Sequence, residues 1–185
     1  MRRSLAASCA ALSMVLVLCS PRVLPAQRLI TLGLGGGASI PQGDLSNGAS
    51  TGWNALGTLI LSTPMQPLGL RADVAYNQFP FSAATKSALG TGNERVGSLT
   101  ANAMYRLPTP GTPISPHLIA GLGAYRTDCS VSTACEGVTH FGWNVGLGMK
   151  LYTLGFRSFV EARYHRTSAN GSSINYFPVT LGLIF

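Results

Sequence analysis

Asn175-Tyr176-Phe177-Pro178-Val179-Thr180-Leu181-Gly182-Leu183-Ile184-Phe185 ends the chain, and its side chains alternate in character. Phe177, Val179, Leu181, Leu183 and Phe185 share one face, and Tyr176, Thr180 and Gly182 lie on the other. Successive side chains of an extended strand point to opposite sides, so this segment is greasy on one side and small or polar on its back. Such a strand is the repeating unit of a barrel that spans a bilayer, where lipid-facing and lumen-facing positions must alternate.

The same period recurs upstream. Seven further strands are expected, at 28–40, 52–62, 68–79, 94–107, 115–126, 140–151 and 156–167. In the first, Ile30, Leu32, Leu34, Ala38 and Ile40 face out and Thr31, Gly33, Gly35, Gly37 and Ser39 face in. The second sets Trp53, Ala55, Leu59 and Leu61 against Asn54 and Thr58, although Leu56 and Ile60 interrupt the pattern. The third sets Leu70, Ala72, Val74 and Tyr76 against Arg71, Asp73 and Asn77, and the fourth sets Leu99, Ala101, Ala103 and Tyr105 against Ser98, Thr100 and Asn102. The fifth sets Leu118, Ala120, Leu122 and Ala124 against His117, Gly121 and Gly123. The sixth is the most regular: Phe141, Trp143, Val145, Leu147, Met149 and Leu151 alternate with His140, Gly142, Asn144, Gly146, Gly148 and Lys150. In the seventh, Val160, Ala162 and Tyr164 alternate with Glu161, Arg163 and His165.

Connections alternate in length. Short, Pro- and Gly-bearing segments at 63–67, 108–114 and 152–155 read as turns, and those at 41–51, 80–93, 127–137 and 168–174, rich in Gly, Ser, Asn and Thr, as loops. Four loops and three turns between eight strands put both ends of the barrel on the turn side. The fold expected is all-β, an eight-stranded antiparallel up-and-down transmembrane barrel. Ten aromatic residues, Tyr152 among them, fall near strand ends, as interfacial girdles would.

The front of the chain carries an export label. Arg2 and Arg3 precede an apolar stretch at 5–18, followed by Pro21, Pro25 and Ala26, the charged, apolar and small-residue order of a signal peptide. Cleavage is expected after Ala26, giving a signal at 1–26 and a barrel domain at 27–185. The apolar stretch is shorter than the roughly 20 residues a spanning helix needs, and neither Cys9 nor Cys19 stands where lipid attachment is expected. Loss of Arg2, Arg3 and Arg22 lowers the formal charge from +7 to +4. The remaining cations are dispersed along strands, which argues against nucleic acid, whose binders show a basic patch or stripe. Charged residues make up only 10% of the chain, yet no later stretch is apolar for eighteen residues. A chain this apolar, built of strands, satisfies its backbone in a bilayer only by closing the sheet.

Three groups of residues invite chemistry. Cys129 and Cys135 share one expected loop; two cysteines are too few for zinc and no His lies at ligand spacing, so a disulfide is expected and no metal or cofactor is. Arg71, Asp73, Lys150, Glu161 and Arg163 point into a lumen only wide enough for side chains; a buried charge is costly without a partner, so a pairing network that plugs the barrel is expected, with a gate for small ions as its rival. The stretch at 165–170, His-Arg-Thr-Ser-Ala-Asn, superficially resembles the His-x-Ser motif of lipid A deacylase barrels. Two positions after His165, however, stands Thr167, and Ser168 belongs to the opposite face. The glycines at 33 and 35–37 lack the Lys and helix of a phosphate loop.

The closing strand resembles that of bacterial outer-membrane barrels, in which a terminal Phe preceded by apolar residues at every second position is read by the barrel-assembly machinery. With the signal peptide and the segment Phe-Val-Glu-Ala-Arg-Tyr-His at 159–165, the mature chain is similar in pattern throughout to the small OmpA/OmpX-type outer-membrane β-barrel domains. That resemblance implies a location in the outer membrane of a Gram-negative-type envelope, both termini periplasmic, with lipid and the assembly machinery as partners. It does not imply a task. A non-enzymatic, monomeric barrel with a structural or surface-interaction role, its external loops available to a surface ligand, is the expected function. Three others are weighed: a lipid A-modifying enzyme, a narrow ion-conducting pore, and a secreted lipocalin-like carrier. The last needs large apolar side chains inside, where strands three, six and seven put Arg, Asp, Lys, Glu and Gly.

Overall fold

The computed structural model describes residues 30–62, 66–130, 137–153, 155–169 and 172–185. The expected signal peptide at 1–26 and Cys135 lie outside them. Eight strands form one closed antiparallel barrel in chain order: β1 (Ile30–Gln42), β2 (Gly52–Ser62), β3 (Leu68–Pro80), β4 (Asn93–Arg106), β5 (Ile114–Cys129), β6 (Val138–Thr153), β7 (Phe156–Ala169) and β8 (Ser172–Ile184). Closure is made by β1 against β8, from Gly33↔Ile184 to Gln42↔Asn175. The β7–β8 ladder has no partners at Arg163 and Tyr164, opposite Pro178 and Phe177, because proline has no N–H to donate.

One end of the barrel carries the connections at 43–51, 81–92, 130–137 and 170–171, and is called the loop end. The other, the turn end, carries 63–67, 107–113 and 154–155. The loop expected at 168–174 is instead mostly strand, since β7 runs to Ala169 and β8 begins at Ser172. The two residues left between them are Asn170-Gly171, a strong two-residue hairpin signal that polarity alone obscures.

Two short helices, absent from the sequence expectation, occupy loop-end connections. Helix α1 (Asp44–Gly48) packs on β1 and β8 and buries Leu45. Helix α2 (Ala83–Leu89) starts at Ser82, whose Oγ accepts from the Thr85 backbone N–H at 3.3 Å, and stops at Gly90 with φ +85°, a backbone conformation that glycine adopts freely. The two connections are tied by the Ala49↔Phe81 bridge and by the Ser82 N–H donating to the Gly48 carbonyl at 2.9 Å.

The barrel is inside-out by the standard of a water-soluble domain. Leu34, Leu70, Val74, Leu99, Leu122, Leu147 and Leu181 are exposed on its outer wall, Leu122 at 70% and Phe141 at 86%. Arg71, Asp73, Glu161 and Arg163 are buried within it. Outward aromatics mark the belt's edges, Trp53–Tyr76 and Trp143–Tyr164 as tilted pairs toward the loop end and Tyr105 and Phe156 toward the turn end. Phe156 and Tyr164 stand eight positions apart on β7, which at about 3.3 Å per residue and a tilt near 40° spans about 20 Å along the axis. Tyr152 does not join the girdle: its parity with Lys150 turns it toward the lumen mouth.

Leu56 and Ile60, which break the alternation of β2, also point inward and are buried. Leu56 packs with Phe159 and Ile184 in an apolar layer of the lumen. The interior is therefore stratified rather than uniformly polar. At the loop end Leu45, Ala49, Phe79, Val96, Tyr125 and Tyr176 form a second apolar cluster.

Candidate functional site

β3 and β7 face each other across the lumen, and each carries an Arg and an acid at inward positions two apart, Arg71 with Asp73 and Glu161 with Arg163. Alternation puts both members of each pair on the same face. The Arg71 Nε donates to Asp73 Oδ1 at 2.6 Å and its Nη1 to Glu161 Oε1 across the barrel. The Arg163 Nη1 donates to Asp73 Oδ2 at 2.7 Å and its Nη2 to Glu161 Oε2 at 2.5 Å. Each carboxylate thus meets both guanidiniums in a closed ring of two positive and two negative charges. All four side chains are 5% exposed or less. Buried ions tolerate such loss of water only when paired with good geometry and further hydrogen bonds.

Those further bonds come from side chains of the strands between. Asn102 Nδ2 donates to Asp73 Oδ2 at 2.9 Å, Asn144 Nδ2 donates to Asn102 Oδ1 at 2.8 Å, and His117 Nε2 lies 3.1 Å from Glu161 Oε1. Sequence reading placed His117, Asn102 and Asn144 inward without joining them to the charges. The signal available was their position, each at an inward site of β4, β5 or β6 between the two charged strands. Inward glycines supply the room. Gly146 and Gly148 pair directly with Arg163 and Glu161; a Cβ at Gly148 would stand 2.5 Å from the Glu161 Cγ and 2.7 Å from His117 Nε2, and one at Gly146 would stand 2.7 Å from the Arg163 Cγ.

Lys150 stands apart from this ring. Its side chain faces the turn-end mouth with Arg106 and Arg157, and among the described residues no acid lies within ion-pair distance of it. The sequence reading grouped it with the ring because parity gives the face of a residue but not its depth.

His165 and Ser168 are not brought together. His165 is buried and Ser168 exposed on the opposite face; His165 Nδ1 lies 3.0 Å from the Tyr125 hydroxyl, and its ring stacks on Tyr176 with centroids 4.9 Å apart. It links the loop-end aromatics to the charged layer below. Glu161, four positions away, spends both oxygens on Arg71, Arg163 and His117. Among the described residues no group of three His, Cys, Asp or Glu could hold a metal ion.

Little free space remains in the middle of the lumen. A cavity lined by Asn54, Asp73, Asn77, Arg163 and His165 measures about 20 Å³, near the space one water needs. On the outer wall Phe177, Val179, Leu181, Leu183 and Phe185 line up as the alternation requires, with Tyr176, Thr180 and Gly182 turned in. Cys129 ends β5 at the loop end.

No family model matches the sequence, and no curated protein matches it. Solved structures do. Neisserial surface protein A superposes with a TM-score of 0.64 at 16% identity, over 84% of this chain and 95% of that one. Ail, the attachment invasion locus protein of Yersinia pestis, superposes with a TM-score of 0.53 at 16% identity, over 84% of this chain and 97% of that one. With eight antiparallel strands, an apolar outer wall and a charged, filled interior, the chain has the fold of the small outer-membrane barrels of the OmpA/OmpX type.

Proposed function

We propose that this chain is a non-enzymatic integral outer-membrane barrel of a Gram-negative-type envelope, with its turn end in the periplasm and its loop end outside. The observation that carries the reading is the inversion of polarity. Monomeric soluble proteins rarely expose contiguous apolar patches beyond a few hundred Å², whereas a belt of Leu, Val and aromatic side chains around a closed barrel matches a hydrocarbon slab. The C-terminal segment, with Phe177, Val179, Leu181, Leu183 and Phe185 on its outer face, serves as the signal for the assembly machinery. Cys129 and Cys135 form a disulfide that staples the external connection between β5 and β6.

The role at the surface is structural or adhesive, exerted through the loop-end connections. Support comes from the compact apolar cluster beneath them and from the two similar barrels, one described as a surface protein and the other as an attachment invasion protein. The filled lumen speaks against an open pore, and the separation of His165 from Ser168 speaks against a hydrolase.

Fractionation of expressing cells tests the location, followed by gel migration with and without boiling. Recovery with the outer membrane and a heat-dependent shift are expected; recovery in a soluble fraction without a shift overturns the proposal. In intact cells a maleimide should leave the chain unlabelled until a reductant is added, and labelling beforehand removes the disulfide. A His165→Ala chain should leave lipid A unchanged.

A further inference from the structure

The ring of Arg71, Asp73, Glu161 and Arg163 is balanced in charge within itself, and further cations lie beneath it. Arg106, Lys150 and Arg157 sit at inward positions of β4, β6 and β7, and with Thr31, Ser62 and Tyr152 they line a cavity of about 170 Å³ at the turn end. Lys150 is buried to 6% exposure and lies within electrostatic reach of both Arg106 and Arg157, as well as of Arg71 and Glu161 above. Arg106 is positioned by donating from Nη2 to the Gln66 carbonyl. Among the described residues neither Lys150 nor Arg157 makes an ion pair. The described acidic side chains are elsewhere: Asp73 and Glu161 in the ring, and Asp44, Glu94 and Asp128 toward the loop end.

Like charges gathered in a confined space repel unless an anion lies between them. A Lys, two Arg and the hydroxyls of Thr31, Ser62 and Tyr152 supply donors of the kind a phosphate oxygen accepts. We propose that the turn-end mouth of the lumen is a binding site for a phosphoryl anion, held by Lys150 and Arg157 with Arg106 adding charge. The site goes beyond the surface role proposed above. Its phosphoryl group belongs either to free phosphate or to the headgroup of an anionic phospholipid in the adjacent leaflet.

The folded chain in neutral detergent, its folding verified by heat-dependent migration, is titrated with inorganic phosphate and followed by phosphorus NMR. Saturable binding is expected. It should weaken about tenfold or more in Lys150→Gln and in Arg157→Gln, the loss of one charge-assisted hydrogen bond each. A second arm repeats the titration in phosphatidylcholine nanodiscs with and without phosphatidylglycerol: competition by the anionic lipid identifies a headgroup site, and its absence a free-phosphate site. Non-saturable binding, or an affinity in both variants unchanged from that of the unsubstituted chain, overturns the proposal. Should Lys150→Gln fail to fold, Arg157→Gln, at a partly exposed position, decides alone. The detergent arm does not depend on where the chain resides in the cell, so its failure is distinct from failure of the outer-membrane reading.

Discussion

At the loop end Phe79, Val96, Tyr125 and Tyr176 pack beneath Leu45 and Ala49, whereas the turn end is an unfilled collar ringed by Arg106, Lys150 and Arg157. Both regions use inward positions of one continuous barrel, so the β pattern is the same and the side-chain chemistry differs. The loop end is stitched by α1, α2 and the Ala49↔Phe81 bridge, and its aromatics continue through the His165–Tyr176 stack to the charged ring. The loop end is therefore packed shut with apolar and aromatic side chains, whereas the turn end keeps a cavity lined by cations.

The largest effect should come from the ring. Glu161→Ala leaves Arg71 and Arg163 to share Asp73 alone and takes away the carboxylate beside His117, and removing one partner of a buried pair costs about 3–5 kcal/mol; urea unfolding of the barrel in lipid vesicles measures it. Phe79→Ala, which hollows the loop-end cluster, should cost about 3 kcal/mol in the same assay, and a loss below about 1 kcal/mol would break the contrast between the two ends. On the outer wall, Val145→Arg at mid-strand should cost about 2–4 kcal/mol and Phe141→Arg near the loop end about 0–1, the depth dependence of charge facing lipid. Equal costs at the two positions would remove the apolar belt. The smallest change belongs to the mouth: Lys150→Gln in phosphate-free buffer should leave stability within about 0.5 kcal/mol, as expected where no partner is lost, or raise it by relieving repulsion. Addition of phosphate should then stabilise the unsubstituted chain and not the variant, since a ligand bound only by the folded state adds to its stability.

Strand number, facing and closure were legible because period two is a property of the backbone and repeats in every strand, most plainly at 141–151. Depth was not. Which inward residues meet depends on the stagger between strands around the whole barrel, and no single strand carries that information; hence Lys150 was grouped with charges that lie in a different layer, and His117 was left out of a ring it joins. Leu56 and Ile60 read as defects in an alternating strand, although both are buried inside the barrel and Leu56 packs with Phe159 and Ile184. The capping signals of α2, Ser82 and Gly90, were present but stand in a connection where polarity suggested only a loop. The full reach of β7 and β8, whose ladder runs to Ala169↔Ser172, was hidden by the polar, Ser-rich sequence there.

Closure of the barrel pairs residues between 133 positions apart (Gln42↔Asn175) and 151 apart (Gly33↔Ile184). Until β8 arrives, β1 and β7 present raw hydrogen-bonding edges, and such edges are templates for pairing with other chains. Contacts this distant in sequence also slow the search for the native state. A nascent chain lacking only its final strand should therefore be more hazardous to the cell than one lacking several, because it has a nearly complete sheet with nothing to seal it.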